Sequence, residues 1–504
     1  MAKFNKITKY LPYLIIIIVS GFILTRNINK PFIGHHDWNG VFYANIARNY
    51  LNHGFLKTKL GQATISGQQT TDKFNFYTHY PPLFPLTLSL SYFIFNISEI
   101  STRLIPILFT LGYLLILYHL ARKLKFSPVA SLASTAIIFT PMLRYFGKMP
   151  SQEAPIVFFT TLSLLFYLDF LDKPNSKNKL KLFLATFLNG LTGWAGYFIY
   201  PLLVIHSFIF HRRHVKTIAK TIIILFLTFG LHLLHTYILT DSVIGGGLID
   251  ALLLRLNFYG FLGKPDPSMR QFTWPKYLVQ QARWLTIYYT RTLILSAFIF
   301  LSSVFFKFVK KQKISLAGTI IFLLFLFGLS YPIIFSNVVF IHEYFNIFFV
   351  PFFALSFAWL IHQISQKNHL IAIITATIPS VFIFTERLPF YQALEVTRAH
   401  ELGYQLGNLI NQTVPQNESA VIFASSRYLS NHDVFIKYYA DRKISFVIYN
   451  QSDLIKAQQQ LFPINKHIFT YTADQPVDLF VDASLATQSA IISKNNQFNY
   501  YYLK

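Results

Sequence analysis

Apolar runs of roughly 17–25 residues, long enough to cross a membrane, recur along the chain and are separated by short polar segments. The first, LPYLIIIIVSGFIL, follows a basic stretch but lacks a small-residue cleavage site, and so reads as a retained anchor. Further runs fall at about 103–121, 127–146, 155–171, 180–194, 196–211, 217–239, 284–306, 315–335, 345–362 and 370–385, which predicts about eleven spans in all. PPLFPLTLSLSYFIFN, at 81–96, is apolar but short, and is expected to be an interfacial or re-entrant helix. Two amphipathic patterns complete the membrane part. Trp38, Val41, Phe42, Ile46 and Tyr50 share a helical face ahead of Gly54, and Leu248, Leu252 and Leu256 share one within 248–259. The second fits a helix lying in the membrane plane, its other faces interrupted by Asp250, Arg255 and Asn257.

After residue 389 the pattern changes. Short β-type runs (AVIFAS, ISFVIY, HIFTYT, AIISK, FNYYYL) alternate with helical stretches such as DLIKAQQQLF. The expectation is a polytopic α-helical membrane domain over 1–389 and a small α/β domain over 390–504. No internal repeat stands out, and the terminal region has no Gly-rich phosphate loop.

Composition fits this picture: 53% of residues are hydrophobic and only 13% charged, against about a quarter in soluble domains. The net charge of +24 raises the question of a nucleic-acid partner. Its distribution argues against one, because the basic residues gather in short loops: KFNKITK, ARKLK (121–125), KPNSKNKLK (173–181), HRRHVKTIAK (211–220) and KFVKKQK (307–313). Such loops stay on the cytoplasmic side during insertion. Counting 81–96 as a span would turn four of them outward, so the charge pattern leaves it out. Residues 26–102, 240–283 and the terminal domain are then expected outside the plasma membrane. The absence of cysteine excludes disulfides, thiolate metal sites and cysteine nucleophiles.

This threading places every unusual polar cluster at one boundary: His35-His36-Asp37, THYPP (78–82), Arg144, GKMPSQE (147–153) and HEY (342–344). Asp37 has two readings, a helix cap or a catalytic acid. Pro81 and Pro82 suit a helix start, and Ser151 and Glu153 suit another. Around them, His35, His36, Tyr77, His79, Tyr80, His342, Glu343 and Tyr344 are candidate substrate contacts. The irregular spacing of His35, His36, His79 and His342 leaves a divalent metal open and assigns no cofactor. Arg291 lies about seven residues into the 284–306 run, roughly 10 Å deep at 1.5 Å per residue. An ionisable side chain there faces a partner or cavity, or snorkels to the interface.

Taken in order, the first-loop acid, ANIARNYLNHG, the Pro-Pro-Leu segment, STRLIPILFTLGYLLILYHLARKL and GKMPSQEAPIVFFTTLSLLFYL resemble the C-type-fold membrane glycosyltransferases, specifically the protein O-mannosyltransferase and aminoarabinose transferase group. The resemblance is carried mainly by residues 10–240. It implies a sugar donor on a polyprenyl phosphate, an extracytoplasmic acceptor that could be protein, lipid or glycan, and surrounding membrane lipid. It also implies Asp37 as the general base of an inverting transfer, with Glu153 as a second site acid and Arg103 and the Pro81-Pro82-Leu83 segment as site elements. Arg103, Arg144, Lys148 and Arg291 are the cations available for the departing phosphate. Many relatives carry Asp-Glu in the first loop, whereas Trp38 follows Asp37 here. A secondary transporter, or a receptor with an outer domain, remains the alternative, although transporters usually show repeated halves and mid-membrane ionisable groups.

Overall fold

A computed structural model describes residues 2–67, 74–242, 248–256, 272–424, 426–448, 467–471, 489–494 and 498–503. It is mostly helical, and it divides into two compact units. The first comprises 1–28, 78–84 and 103–395; the second comprises 29–77, 85–102 and 396–504. The second unit therefore joins most of residues 26–102 to the C-terminal region, which sequence alone separates at 389–390.

Most helices of the first unit follow the predicted runs, but the predicted 127–146 span is broken at Thr140 and Pro141 into short pieces. The helices are α1 (Ala2–Thr25), α4 (Glu99–Lys123, most of it in this unit), α5 (Pro128–Ala133), α6 (Pro141–Phe146), α7 (Glu153–Asp172), α8 (Ser176–Gly190), α9 (Ile199–Phe210) and α10 (Val215–Thr240). After them come α11 (Leu248–Arg255), α12 (Trp274–Val309), α13 (Leu316–Ile334), α14 (Ser336–Val339), α15 (Val350–Ser365), α16 (His369–Thr385) and α17 (Leu388–Val396). Among the described residues, seven helical segments are long and apolar enough to cross a membrane, and shorter apolar helices stand at 10–25, 83–95, 128–139 and 194–210.

Polar side chains start several helices where the chain turns between apolar runs. Ser127, Thr140, Asn175, Ser315 and Asn368 each accept a backbone N–H of the following first turn. The core between the helices is rich in aromatics, with Tyr113, Tyr167, Tyr200, Tyr289 and Tyr331 fully buried. Outward faces are apolar too: Ile223, Phe226 and Leu234 on α10 and Phe298, Phe305 and Phe308 on α12 are exposed, as lipid-facing side chains would be.

The Pro-Pro segment forms α3 (Leu83–Phe95). At 1.5 Å per residue its 13 residues reach roughly 20 Å, shorter than the ~30 Å hydrocarbon core.

The second unit holds α2 (Asp37–His53), the short pair β1 (Gln62–Ala63) and β2 (Phe76–Tyr77), α18 (Glu401–Thr413) and α19 (Ser426–Ala440). Its sheet contains β3 (Ser419–Ala424), β4 (Lys443–Ile448), β5 (His467–Tyr471), β6 (Ser489–Lys494) and β7 (Phe498–Leu503), in the order β4-β3-β5-β7-β6. The strands β4, β3 and β5 run parallel, and β7 and β6 join antiparallel. All five strands coincide with runs singled out in the sequence. The expected DLIKAQQQLF helix, 453–462, lies outside the described residues, as does the part of 248–259 beyond residue 256. Leu406, Ile410, Ile422, Phe469 and Tyr500 form the core of this unit.

Candidate functional site

Asp37 is the first residue of α2, and the cap position belongs to His36, held in the left-handed region at φ 57°. The Asp37 carboxylate reaches backward, accepting the Gly34 N–H at 2.7 Å. The cap reading of Asp37 thus gives way to a side chain at the N1 position, where negative charge still suits the helix dipole. The preceding loop is pinned within the same unit, since Phe32 N donates to the Tyr439 hydroxyl at 2.7 Å and His400 N donates to the Ile33 carbonyl at 3.0 Å.

Beside Asp37, the His35 and His36 rings lie 4.1 Å apart and are half-buried. Tyr77, on β2, sets its ring edge-on to Phe42 at 4.9 Å, and Phe42 stacks on Trp38 at 4.6 Å. The helix is seated on this hairpin by Asn45 and Asn49, whose side chains both donate to the Ile65 carbonyl.

His79, Tyr80 and Glu153 belong to the first unit, and there the structure supplies a residue that the sequence had marked only as a break in an amphipathic face. The Arg255 guanidinium lies over the Tyr80 ring at 4.9 Å, and its charge acts on both His79 and Glu153. Tyr331, from α13, is buried close to Tyr80, Arg255 and Glu153. Glu153 is 3% exposed, and its Oε2 makes no hydrogen bond among the described residues. Burial, and then the Arg255 charge, hold the His79 imidazole well below its usual value, at about 4, so it is neutral near pH 7.

The chain around His79 is fixed by two donors, Trp194 Nε1 to the His79 carbonyl at 2.7 Å and His232 Nε2 to the Thr78 carbonyl at 2.8 Å. Against it opens an almost wholly apolar cavity of about 350 Å³, lined among others by Trp194, Phe229, Leu252 and Phe335, with His79 and Arg255 as polar members.

The other cations divide. Arg144, 3% exposed, places its guanidinium 3.9 Å over the Tyr391 ring and 4.6 Å over Phe384. Lys148 donates to the Arg26 carbonyl at 2.8 Å and pairs with Glu395 at 2.9 Å. Glu395 also accepts from Tyr391 at 3.0 Å and from Asn27 at 2.5 Å. Arg144 and Lys148 thus share one buried polar cluster around Glu395 and Tyr391, two residues that sequence reasoning had no motif to find. Arg103 donates to the Ile28 carbonyl at 2.9 Å, tying α4 to the end of the α1 segment.

Arg291 lies at a break in its helix. Non-helical Thr290, at φ 68° and ψ 154°, breaks α12, so Arg291 starts a new helical stretch. The Arg291 side chain is 79% exposed, and its backbone N–H donates to the Glu386 carboxylate. His342 and Tyr344 set their rings 5.3 Å apart, and Tyr288 donates to Glu343 at 3.1 Å. The four histidines considered for a metal are divided between the units, with His35 and His36 in one and His79 and His342 in the other.

Residues 33–212 match the family model of dolichyl-phosphate-mannose-protein mannosyltransferases. The whole chain superposes on the ArnT of Cupriavidus metallidurans bound to undecaprenyl phosphate, with a TM-score of 0.58 and 12% identity, covering 97% of each chain. It also superposes on the oligosaccharyltransferase of Archaeoglobus fulgidus in complex with zinc and sulfate, with a TM-score of 0.54 and 12% identity, covering 90% of this chain and 68% of that one. The chain therefore shares the C-type fold of these two structures, and its residues 33–212 carry the mannosyltransferase family match. No curated protein sequence matches the chain. The matched segment contains Asp37, the Pro-Pro helix and Glu153, so the motifs that carried the resemblance lie in the matched part of the chain.

Proposed function

We propose that this protein is a glycosyltransferase that moves a sugar from a polyprenyl-phosphate donor to a hydroxyl acceptor at the outer face of the plasma membrane, inverting the anomeric centre, with Asp37 as general base. The observation that carries the donor reading is the apolar cavity headed by Arg255 and His79. An isoprenoid chain needs an apolar channel, and its phosphate needs a cation at the mouth. Neutral His79 adds a hydrogen-bonding group there without a second charge.

The Asp37 carboxylate is partly exposed and oriented by the Gly34 N–H, as a base that must meet an incoming hydroxyl requires. In the transfer, Asp37 takes the acceptor proton as the acceptor oxygen bonds to the anomeric carbon. The bond from that carbon to the phosphate oxygen breaks on the opposite face, and polyprenyl phosphate leaves with the electron pair. Arg255 stabilises the charge that grows on that oxygen. Glu153, buried beside Arg255, keeps this cation directed at the cavity.

Mass spectrometry of donor consumption tests the reading. Purified protein and its Asp37→Asn variant each receive a panel of polyprenyl-phosphate sugars with membrane extract as acceptor. Transfer of one sugar by the wild type, lost in a folded variant, is expected. Equal transfer by both removes Asp37 from the mechanism.

A further inference from the structure

A second apolar groove, of about 620 Å³, lies between α9, α12 and α13. Ile205, Phe210, Val304, Phe308, Ile314 and Phe322 line it. It is open along its flank, with Ile205 54%, Phe305 68% and Phe308 71% exposed. At its inner wall His206 is buried and doubly bonded, to the Tyr167 hydroxyl at 2.7 Å and to Thr319 Oγ1 at 3.0 Å, which fixes the wall and leaves the groove itself apolar.

The mouth of this groove is strongly basic. Phe210 is followed at once by His211, Arg212 and Arg213, and Phe308 and Ile314 bracket Lys310, Lys311 and Lys313. Because Phe210, Phe308 and Ile314 all line the groove, both basic loops stand at the same end of it. Arg212, Arg213, Lys310, Lys311 and Lys313 are exposed, and no ion pair joins any of them to an acid among the described residues. Neither 199–220 nor 301–335 contains an Asp or Glu. The nearest compensation is weak: Lys310 lies 4.4 Å over the Phe306 ring and Arg213 donates to His214.

We propose that this groove is the seat of an anionic diacyl phospholipid, its acyl chains on the apolar wall and its phosphate among Arg212, Arg213, Lys311 and Lys313. Charge complementarity selects the ligand. Uncompensated cations beside an apolar groove between membrane helices attract an anionic headgroup, whereas a zwitterionic one brings its own cation into the same place. The site is separate from the cavity at Arg255, shares no lining residue with it, and does not depend on the donor reading.

The test is lipid binding by the full chain in nanodiscs, read as the affinity for spin-labelled phosphatidylglycerol relative to spin-labelled phosphatidylcholine. Wild type is expected to prefer phosphatidylglycerol. The variant R212Q/R213Q/K311Q/K313Q is expected to lose roughly tenfold of that preference. Ile205→Trp, which fills the groove and keeps the charges, is expected to displace bound phosphatidylglycerol. Equal affinity of the wild type for the two lipids overturns the proposal, as does an unchanged preference in either variant. Stronger retention of undecaprenyl phosphate than of phosphatidylglycerol also overturns it, since the groove would then belong to the polyprenyl lipid.

Discussion

The Arg48 guanidinium, on the helix that begins with Asp37, donates to the Tyr438 carbonyl at 2.7 Å. It also reaches the Lys437 carbonyl at 3.1 Å and Asn45 Oδ1 at 2.7 Å, and lies 3.4 Å from Asp441. Arg48 is 4% exposed, so α2 and α19 are joined by a buried charged anchor. Removing one partner of such a pair leaves carbonyls and a carboxylate short of a donor, at a cost of about 3–5 kcal/mol. Arg48→Ala is therefore expected to lower the unfolding temperature and to open α2 to proteolysis. Transfer activity should fall with it, because Asp37 loses its fixed helix. A variant as stable and as protease-resistant as wild type would remove this anchor role.

Much of this fold is legible in the sequence because its signals are long. Apolar runs of membrane length located most of the long helices, and five β-type runs located all five strands of the terminal sheet. What stayed hidden was decided by tertiary neighbours. Asp is favoured at a helix cap and at the next position alike, so only the backbone of His36 separates the two readings of Asp37. Arg255 is one cation on a short helix, and its importance comes from Tyr80, Glu153 and His79, all distant in sequence. The break at Thr290 contains neither Gly nor Pro, so periodicity carried the helix straight through it. Glu395 and Tyr391, which gather Arg144, Lys148 and Asn27, sit where the pattern had already turned to loop and α/β character.

The depressed pKa of His79 makes stability depend on pH. The folded protein holds this imidazole neutral down to about pH 4, whereas an unfolded chain protonates it near 6.5. Between those values the unfolded state binds the extra proton, so acidification costs stability. Wild type should therefore lose stability relative to His79→Asn as pH falls from about 6.5 to about 4. Outside that window the difference should level off. Thermal unfolding of both proteins across the range checks this, and a difference that stays constant with pH would show that His79 titrates normally.

Thr290 holds a conformation that few non-glycine residues adopt, with φ at 68° and ψ at 154°. Such strain costs on the order of 1–3 kcal/mol, and a glycine in its place gives back part of the relief through unfolded-state entropy. Thr290→Gly is expected to gain about 1 kcal/mol net, and Thr290→Val to gain nothing, because it keeps the β-branched side chain. The order of unfolding temperatures decides it. A Gly variant less stable than wild type would mean that the buried Thr290 side chain contributes more than its backbone costs.

Arg255 has the strongest claim among the cations to the donor phosphate. Arg144 is stacked between aromatic rings, Lys148 is paired with Glu395, and Arg291 is exposed beside Glu386. A hydrogen bond to a charged group is worth about 1.5–3 kcal/mol, so Arg255→Gln should raise the KM for donor roughly 10- to 150-fold. Arg255→Lys keeps the charge without the planar fork and should recover part of the loss. Glu153→Gln should behave differently, because it removes the acid beside Arg255 and leaves the cation in the cavity. Its donor KM should change less than that of Arg255→Gln, while kcat falls as Arg255 loses its orientation. Steady-state kinetics with a fixed acceptor separates these outcomes. If Arg255→Gln leaves KM and kcat unchanged while Arg144→Gln raises KM, the phosphate is held in the Glu395 cluster, and the apolar cavity is not the donor's seat.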